Sequence, residues 1–349
     1  MSKLVLAVLS DIHFSESSTH PIPARANAIA SAIASAENQP SAIVLLLAGD
    51  IADKGLSAEY VIAEKFCDSL RKALAQRFSG IEVYFLCVPG NHDLEHPEGS
   101  EGYRKGVVEG GSSTMSNPGA NAFYLEKLLE PQRNYWEFAK RLDLRLDGNY
   151  PQICSFFCVK VGSSEVHFNL LNSAILSQKT ESQGSLVLPN SLISDLLAAK
   201  DGPHLTLTLM HHPTYWLQHQ ALTELRDLLA LRCDYVTTGH EHFSSGYEVK
   251  NDFGQSIRYY ESPALFDPRK PMNSAFRVLV LDLDASLDTP REKQLIFEWK
   301  GSIYRPKSSP DLSPAWRDIE TARIASKSLR MNSTARRSQG RLLSRRRWL

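Results

Sequence analysis

Short apolar runs alternate with longer segments of helical periodicity in the first part of the chain. The runs Leu4–Leu9, Ile43–Leu47 and Val83–Val88 are typical of buried strands. Between them, Ala24–Glu37 and Ser57–Phe78 place apolar residues three or four positions apart, which is the spacing of one helix face. Strand–helix–strand units of this kind bring successive strands parallel, with helices covering the sheet. The alternation therefore predicts an α/β fold.

The second part of the chain has more strand-like runs and fewer helical segments between them. The predicted strands are Ile153–Lys160, Glu165–Leu171, Leu205–Met210, Tyr235–Thr238, Tyr247–Lys250, Ser256–Glu261, Phe276–Asp282 and Leu295–Trp299. Only Ser191–Ala199 and Ala221–Leu231 have helical spacing there. Because hairpins need no crossover helix, we expect a second sheet that is largely antiparallel or mixed.

Two segments stand apart from this pattern. Six glycines between Gly99 and Gly119 predict a long irregular loop, and its position after Asn91 suggests a substrate lid carrying Arg104 and Lys105. Residues 316–349 hold ten Lys or Arg against two Asp or Glu. We expect one domain over residues 1–315, followed by a basic tail or linker that could contact nucleic acid.

The composition is ordinary for a globular protein, with 42% hydrophobic and 22% charged residues. The longest apolar runs are too short to cross a bilayer, so we expect no membrane partner. The five cysteines form no Cys-x-x-Cys pair and no regular framework. That usage favours a reducing compartment, and we expect a cytoplasmic protein.

Polar residues capable of metal binding follow five of the predicted strands. These segments are Asp11-Ile12-His13, Gly49-Asp50-Ile51-Ala52-Asp53, Gly90-Asn91-His92-Asp93, His211-His212 and Gly239-His240-Glu241-His242. Turn chemistry explains any one of them, but it does not explain five in order at strand ends. The carboxyl ends of strands are where α/β sheets form their sites. Carboxylate, amide and imidazole groups without thiolate suit Mn, Fe or Zn.

In order and spacing, the set resembles the calcineurin-like metallophosphoesterase superfamily. The family pattern is Asp-x-His, Gly-Asp-x-x-Asp, Gly-Asn-His-Asp/Glu, His and Gly-His-x-His, and the resemblance covers roughly residues 1–300. It implies a four-layer α/β/β/α sandwich of two mixed sheets, with two metal ions at one edge. It also implies two ligand sets that share a bridging Asp50: Asp11, His13, Asp50 and His242 for one ion, and Asp50, Asn91, His211 and His240 for the other.

The resemblance also assigns roles beside the metals. His92 would face the substrate, either stabilising the phosphoryl charge or protonating the leaving oxygen, and Asp53 would orient it. The first His of a His-His pair is the usual ligand, and strand alternation turns the second away, which favours His211 over His212. Glu241 is expected to point into solvent or toward groups behind the ligands.

Differences from the motifs of known subgroups of this superfamily narrow the range of expected substrates. Position 53 is not the tyrosine of purple acid phosphatases, and Lys54 and Asp93 stand where protein Ser/Thr phosphatases prefer Arg and Glu. We therefore expect a phosphodiesterase acting on a nucleotide, a nucleic acid or a small phosphodiester. A phosphomonoesterase is the alternative. A non-catalytic binding scaffold is disfavoured because every expected ligand is present.

Overall fold

A computed structural model gives the fold of most of the chain. It describes residues 2–17, 19–114, 122–142, 150–188, 193, 197, 205–250, 256–284, 289–307 and 315–319. In chain order its strands are β1 (Lys3–Leu9), β2 (Ala42–Ala48), β3 (Glu82–Val88), β4 (Cys154–Val161), β5 (Ser164–Leu171), β6 (Leu205–Leu209), β7 (Tyr235–Thr238), β8 (Ser245–Lys250), β9 (Ser256–Glu261), β10 (Ala275–Asp282), β11 (Arg291–Trp299), β12 (Tyr304–Pro306) and β13 (Arg317–Asp318). Its α-helices are α1 (Ala26–Ala36), α2 (Ser57–Arg77), α3 (Glu101–Thr114), α4 (Ala122–Leu129), α5 (Arg133–Arg141) and α6 (His219–Arg232). All the strands predicted from the sequence are present.

The first sheet has seven strands in the order β12-β11-β10-β1-β2-β3, with β13 beside β11. Its β1, β2 and β3 are parallel, and β10 runs antiparallel to β1. Every residue of β2 is buried, as expected for a strand covered on both faces. The predicted helices α1 and α2 bury Ile33 and Phe66 in the same apolar core as these strands.

The second sheet has six strands in the order β4-β5-β6-β7-β9-β8. Neighbours among β5, β6, β7 and β9 are parallel, whereas β4 and β8 pair antiparallel at the two edges. The sheet is therefore mixed, which was one of the two expected alternatives. The runs Phe276–Asp282 and Leu295–Trp299, expected in this sheet, belong instead to the first sheet as β10 and β11.

The two sheets pack against each other around one apolar core. Phe168 and Leu207 of the second sheet share a cluster of buried residues with Leu6 of the first. A separate cluster lies on the other face of the second sheet, where Val236 packs with Leu225 of α6. Helices thus cover the outer faces of both sheets, which confirms the four-layer α/β/β/α sandwich.

The predicted glycine-rich loop is wrong over its first part, because residues 101–114 form helix α3. The buried guanidinium of Arg104 donates hydrogen bonds to the carbonyl oxygens of Ser177, Leu128 and Ile175, at 3.0, 3.0 and 2.8 Å. These bonds hold the helix in place despite the low helix propensity of glycine. Arg104 is therefore a structural residue rather than a lid residue, and residues 115–119 lie outside the described residues.

The domain extends past the boundary predicted at residue 315. Arg317 and Asp318 form β13 against β11, and Ile319 is buried in the main core. Trp316 packs on the same core, with the Lys293 ammonium 5.2 Å from the centre of its ring. The basic tail from 320 to 349 and most of the helix predicted at 191–199 lie outside the described residues. Among the helices that are described, none has both the length and the apolar character needed to cross a bilayer.

Candidate metal centre

Five strand ends meet at one edge of the sandwich. The loop after β1 is hydrogen-bonded to the loop after β2, since the amides of Asp11 and His13 donate to the carbonyl oxygens of Gly49 and Asp50 at 3.1 and 2.9 Å. The amide of His240, after β7, donates to Asp11 Oδ2 at 3.0 Å and so joins the two sheets. Every predicted ligand therefore lies in one connected set of loops.

The backbone at this edge is held in an unfavourable conformation. Within the described part of the chain, five residues other than glycine have positive φ, with values between 50° and 72°, and all five are predicted ligands: Asp11, His13, Asp50, His240 and His242. Residues other than glycine rarely adopt this left-handed backbone conformation, and such strain is concentrated at functional sites. The conformation directs each side chain into the space between the loops.

Glycines beside the ligands allow the loops to approach one another closely. A Cβ atom at Gly90 would lie 2.2 Å from Asp50 Oδ1, and one at Gly239 would lie 1.7 Å from Ser10 Oγ. Neither space can hold a side chain. The glycines that precede Asn91 and His240 are therefore required by packing.

The first ligand set is formed by Asp11, His13, Asp50 and His242. The Nε2 atom of His242 lies 3.3 Å from Asp11 Oδ1, and that of His13 lies 4.0 Å from Asp50 Oδ2. Asp11 Oδ1 and both ring nitrogens of His13 are buried without a hydrogen-bond partner among the described residues. Leaving such atoms unsatisfied costs about 1–3 kcal/mol each. A cation bound between them would satisfy Asp11 Oδ1 and one ring nitrogen of His13, so this set fits a metal ion.

The second set is a tight triangle of donor atoms beside Asp50. Asn91 Oδ1, His211 Nε2 and His240 Nδ1 lie 3.1–3.2 Å from one another, and Asp50 Oδ2 lies 3.4 Å from His211 Nε2. Ligand atoms about 2.1 Å from one ion are separated by about 3.0–3.4 Å in octahedral or tetrahedral coordination. The spacing fits a second ion, with Asp50 belonging to both sets.

Hydrogen bonds behind the ligands fix which atom each one presents. The Nδ1–H of His211 donates to the carbonyl oxygen of Ala48 at 2.8 Å, which leaves Nε2 for the centre. The Ser10 hydroxyl donates to Asp11 Oδ2 at 2.5 Å. The amide of His92 donates to Asp50 Oδ1 at 2.8 Å, so Oδ2 is the oxygen that faces the two sets.

The electrostatics of the site suit cation binding. Burial raises the pKa of Asp50, but the His211, His92 and His13 rings together outweigh it and hold the pKa well below the usual value. Burial lowers the pKa of His211, but the Asp50 carboxylate outweighs this and raises it to about 10. Burial and the neighbouring His212 and His211 rings lower the pKa of His240 to about 2. Asp50 is thus ionised and His240 neutral, as coordination requires, and an ion at Asp50 would displace the His211 proton.

His92 lies next to the ligands with its side chain 44% exposed. Its ring meets the His13 ring edge-on at a centroid distance of 4.7 Å. The Nδ1–H of His92 donates to the main-chain carbonyl oxygen of Asp53 at 2.8 Å, whereas the Asp53 carboxylate is 4.0 Å away. The expected orientation of His92 by Asp53 is therefore provided by the backbone rather than by the carboxylate.

His212 is not available to a metal in this arrangement. Its Nδ1 lies 3.0 Å from the Ser173 hydroxyl and its Nε2 lies 3.2 Å from Glu181 Oε2. Both ring nitrogens are thus engaged, while His211 presents Nε2 to the centre. The geometry agrees with the choice of His211 as the ligand. Glu241 turns away from the centre, and its carboxylate accepts a hydrogen bond from the Trp216 indole.

Sequence reasoning assigned no role to two carboxylates that support the centre, Asp267 and Asp93. Asp267 Oδ2 lies 3.4 Å from His242 Nδ1, on the ring side opposite Asp11, and Arg269 Nη2 lies 2.9 Å from the same nitrogen. The guanidinium only donates, so in the Arg269 contact Nδ1 is the acceptor, whereas a proton on Nδ1 would let the ring donate to Asp267, the arrangement that orients a metal-binding histidine. Asp267 lies 25 positions beyond His242 in a segment without a recognisable pattern. Only the fold brings the two together.

Asp93 is the second of these carboxylates, and it connects the two loops that carry Asp50 and Asn91. Its Oδ2 accepts hydrogen bonds from the amides of Gly90 and Ile51 at 2.9 and 3.2 Å. Its Oδ1 accepts hydrogen bonds from the Ala52 amide and the Tyr60 hydroxyl at 2.9 and 2.8 Å. The last position of the Gly-Asn-His-Asp motif is therefore a fixed support for the loops that carry Asp50 and Asn91.

Cavities open on two sides of the centre. One of about 450 Å³ is lined by His92, Lys54 and Lys179, among others. Another of about 630 Å³ is lined by His242 and by residues that follow β9 and β11. The His13 ring lies between them, with centroid distances of 4.7 Å to His92 and 5.5 Å to His242. A ligand bound at the centre can therefore extend in two directions.

Several solved structures are similar to this chain, all at low sequence identity. They include a dimetal phosphatase from Danio rerio (11% identity, 89% of this chain and 99% of that chain, TM-score 0.43) and Vacuolar Protein Sorting 29 from Cryptosporidium parvum (14%, 88%, 98%, 0.34). A hypothetical protein from Thermus thermophilus is also similar (14% identity, 91% and 100%, TM-score 0.36). No curated protein matches the chain significantly. The model of the calcineurin-like phosphoesterase family, however, matches residues 4–244, more than half of the chain, and the chain therefore belongs to that family.

Proposed function

We propose that this phosphoester hydrolase is a phosphodiesterase with two metal ions in its centre. Asp11, His13 and His242 would hold one ion, Asn91, His211 and His240 would hold the other, and Asp50 would bridge them. The support is the pair of donor sets, one with unsatisfied buried atoms and one with donor spacings suited to a single ion. Mn, Fe and Zn all suit this donor set.

The bound ions would supply Lewis-acid polarisation of the phosphoryl group and a nucleophile derived from water at neutral pH. The chain itself supplies positioning and a proton donor. With Nδ1 of His92 bonded to the Asp53 carbonyl oxygen, Nε2 is the nitrogen left for the substrate. Protonated at Nε2, the ring could donate to the leaving oxygen or stabilise phosphoryl charge.

One observation favours a diester over a monoester. A monoester extends from the phosphorus in one direction, whereas a diester carries two organic arms. The centre has a cavity on the His92 side and a larger one on the His242 side. If His92 serves the leaving oxygen, the leaving arm occupies the smaller cavity and the retained arm occupies the larger one.

A hydrolysis panel tests this proposal. Purified protein reconstituted with Mn²⁺ would be assayed on bis(p-nitrophenyl) phosphate, on p-nitrophenyl phosphate, and on linear and cyclic nucleotide diesters. We expect a higher kcat/KM for the diesters. Preference for the monoester would instead establish a phosphomonoesterase, and two bound metals without hydrolysis of any ester would indicate a binding scaffold.

The proposal also covers the cellular compartment of the protein. We propose a reducing, cytoplasmic location, because none of the five cysteines forms a disulfide and four of them are buried. Isolating the protein from cells under alkylating conditions would test it. Recovery of a disulfide-linked form would contradict this location.

A further inference from the structure

We propose that the larger cavity binds a nucleotide arm of the substrate, with a base on an aromatic platform and a flanking phosphate on basic side chains. This inference rests on the proposed diesterase function. We call the cavity the His242 groove and define it by Phe243, Arg269, Lys270, Met272, Lys300 and Lys307. It lies directly beside a predicted ligand, so whatever fills it is close to the reacting phosphorus.

Two large apolar side chains of the groove are exposed. Phe243 follows His242 directly and is 49% exposed, and Met272 is 76% exposed. Exposing a large apolar side chain to water is unfavourable, so a ligand that covers it is stabilised. An aromatic ring next to a phosphoryl site is well suited to stack on a base. The smaller cavity has Leu56, Leu94 and Pro97 but no aromatic side chain other than its histidines. The two sides of the centre therefore differ in the arm they accept.

The polar part of the groove carries more cations than carboxylates. Lys300 and Lys307 share one carboxylate, Glu298, at 2.8 and 3.6 Å. Within the described part of the chain, no carboxylate lies within 4.0 Å of the Lys270 ammonium. Arg269 is paired with Asp267 and is largely exposed. Among the described residues, Lys270 thus has no carboxylate partner and Lys300 and Lys307 share one, which suits an additional phosphate rather than a neutral arm.

Glu241 also lines the groove, but its carboxylate is hydrogen-bonded to the Trp216 indole. Only two carboxylates among the described residues, Asp267 and Glu298, therefore pair with the four cations of the groove. Phe243 and Lys270 border the same cavity, on either side of Asp267 in sequence. Both residues line one cavity, so the base is assigned to Phe243 and the flanking phosphate to Lys270.

The test uses the reconstituted full chain and p-nitrophenyl diesters that differ only in the retained arm. These are methyl p-nitrophenyl phosphate, thymidine p-nitrophenyl phosphate esterified at the 5′ or the 3′ oxygen, and the same nucleotide esters with one additional phosphate. The variants are Phe243→Ala and Lys270→Glu. Lys160→Glu is the matched charge control, because Lys160 is exposed on β4 at the far edge of the second sheet.

We expect the nucleotide ester to exceed the methyl ester in kcat/KM, and Phe243→Ala to reduce that ratio about tenfold through KM, in line with the loss of one stacked base. Lys270→Glu should reduce the gain from the additional phosphate, and this loss should shrink as salt increases. Lys160→Glu should behave as the unmodified protein. Equal ratios in the unmodified protein and in Phe243→Ala would overturn the inference.

A binding measurement separates this inference from the diesterase proposal. A phosphorothioate dinucleotide, which resists hydrolysis, would be titrated calorimetrically into the same variants. If binding weakens in Phe243→Ala but no diester is hydrolysed by any form, the groove assignment stands and the diesterase function fails. If diesters are hydrolysed and dinucleotide affinity is the same in both forms, the groove assignment fails alone.

Discussion

Asp93→Asn should destabilise the protein and loosen its metal centre together. The buried Asp93 carboxylate accepts four hydrogen bonds, three of them from main-chain amides. Asparagine has the same shape but only one acceptor oxygen. The side-chain oxygen of the new asparagine would point toward the amides of Gly90 and Ile51. Its NH₂ group would then point toward Tyr60, whose hydroxyl can rotate and accept a hydrogen bond from it. The Ala52 amide is then left without an acceptor.

The magnitude follows from this count. One unsatisfied buried amide costs about 1–3 kcal/mol, and the loss of charge from the bonds that remain costs about 0.5–1 kcal/mol more. We therefore expect Asp93→Asn to lower the free energy of unfolding by about 1.5–4 kcal/mol. Tyr60→Phe is the matched control, since it removes one neutral donor and leaves all three amide bonds, at about 1 kcal/mol.

Urea denaturation of the metal-depleted forms, followed by circular dichroism, measures the difference. Mn²⁺ titration of the same proteins shows whether the loops carrying Asp50 and Asn91 have lost their positions. We expect weaker metal binding in Asp93→Asn than in Tyr60→Phe. An Asp93→Asn protein as stable as the Tyr60→Phe protein would refute the account of Asp93 as the support of these loops.

Four further variants test other parts of the centre. Asp50→Asn should lose turnover and bound metal together, because the proposed bridging carboxylate would serve both ions, and elemental analysis showing two metals with normal turnover would refute the bridge. His92→Ala should keep its metals but lose about 10² to 10⁴ in kcat, with a smaller deficit on nitrophenyl esters if His92 protonates the leaving oxygen; depleted metal would overturn that role. Asp267→Asn should weaken metal affinity about 10- to 100-fold in a chelator competition assay, and unchanged affinity would mean that Asp267 does not orient His242. Removal of residues 320–349 should leave hydrolysis of small esters intact but reduce salt-dependent DNA or RNA binding, and equal binding at low salt would exclude that role for the tail.

The positions of the candidate ligands could be predicted because they depend on local signals, whereas their division into two sets came from the resemblance to the family. Each ligand follows an apolar run that ends within a few residues of it, so the strand ends could be located from hydrophobicity alone. Asp50 follows β2 and Asn91 follows β3, and parallel strands bring such positions to one edge. The ordered motifs then supplied the pairing between residues far apart in sequence.

The parts that could not be predicted depend on tertiary contacts. Helix α3 is rich in glycine, and its stability comes from Arg104 reaching carbonyl groups on segments that lie 24 to 73 residues away. The contact between Asp267 and His242 likewise joins two loops without any shared pattern. The His242 groove gathers side chains from three separate segments, so neither its shape nor its charge is visible along the chain.

The distribution of backbone strain shows what the centre requires of these loops. Five predicted ligands adopt positive φ, where glycine would fit at much lower cost, yet each is Asp or His. Left-handed residues cost roughly 1–2 kcal/mol each, so the ligand loops are maintained against several kcal/mol. Glycine is used instead at Gly90 and Gly239, where no chemistry is needed and the space is too small for a Cβ. The chain thus places side chains where they can coordinate a cation even when the backbone opposes it, as expected if coordination rather than stability determined these positions.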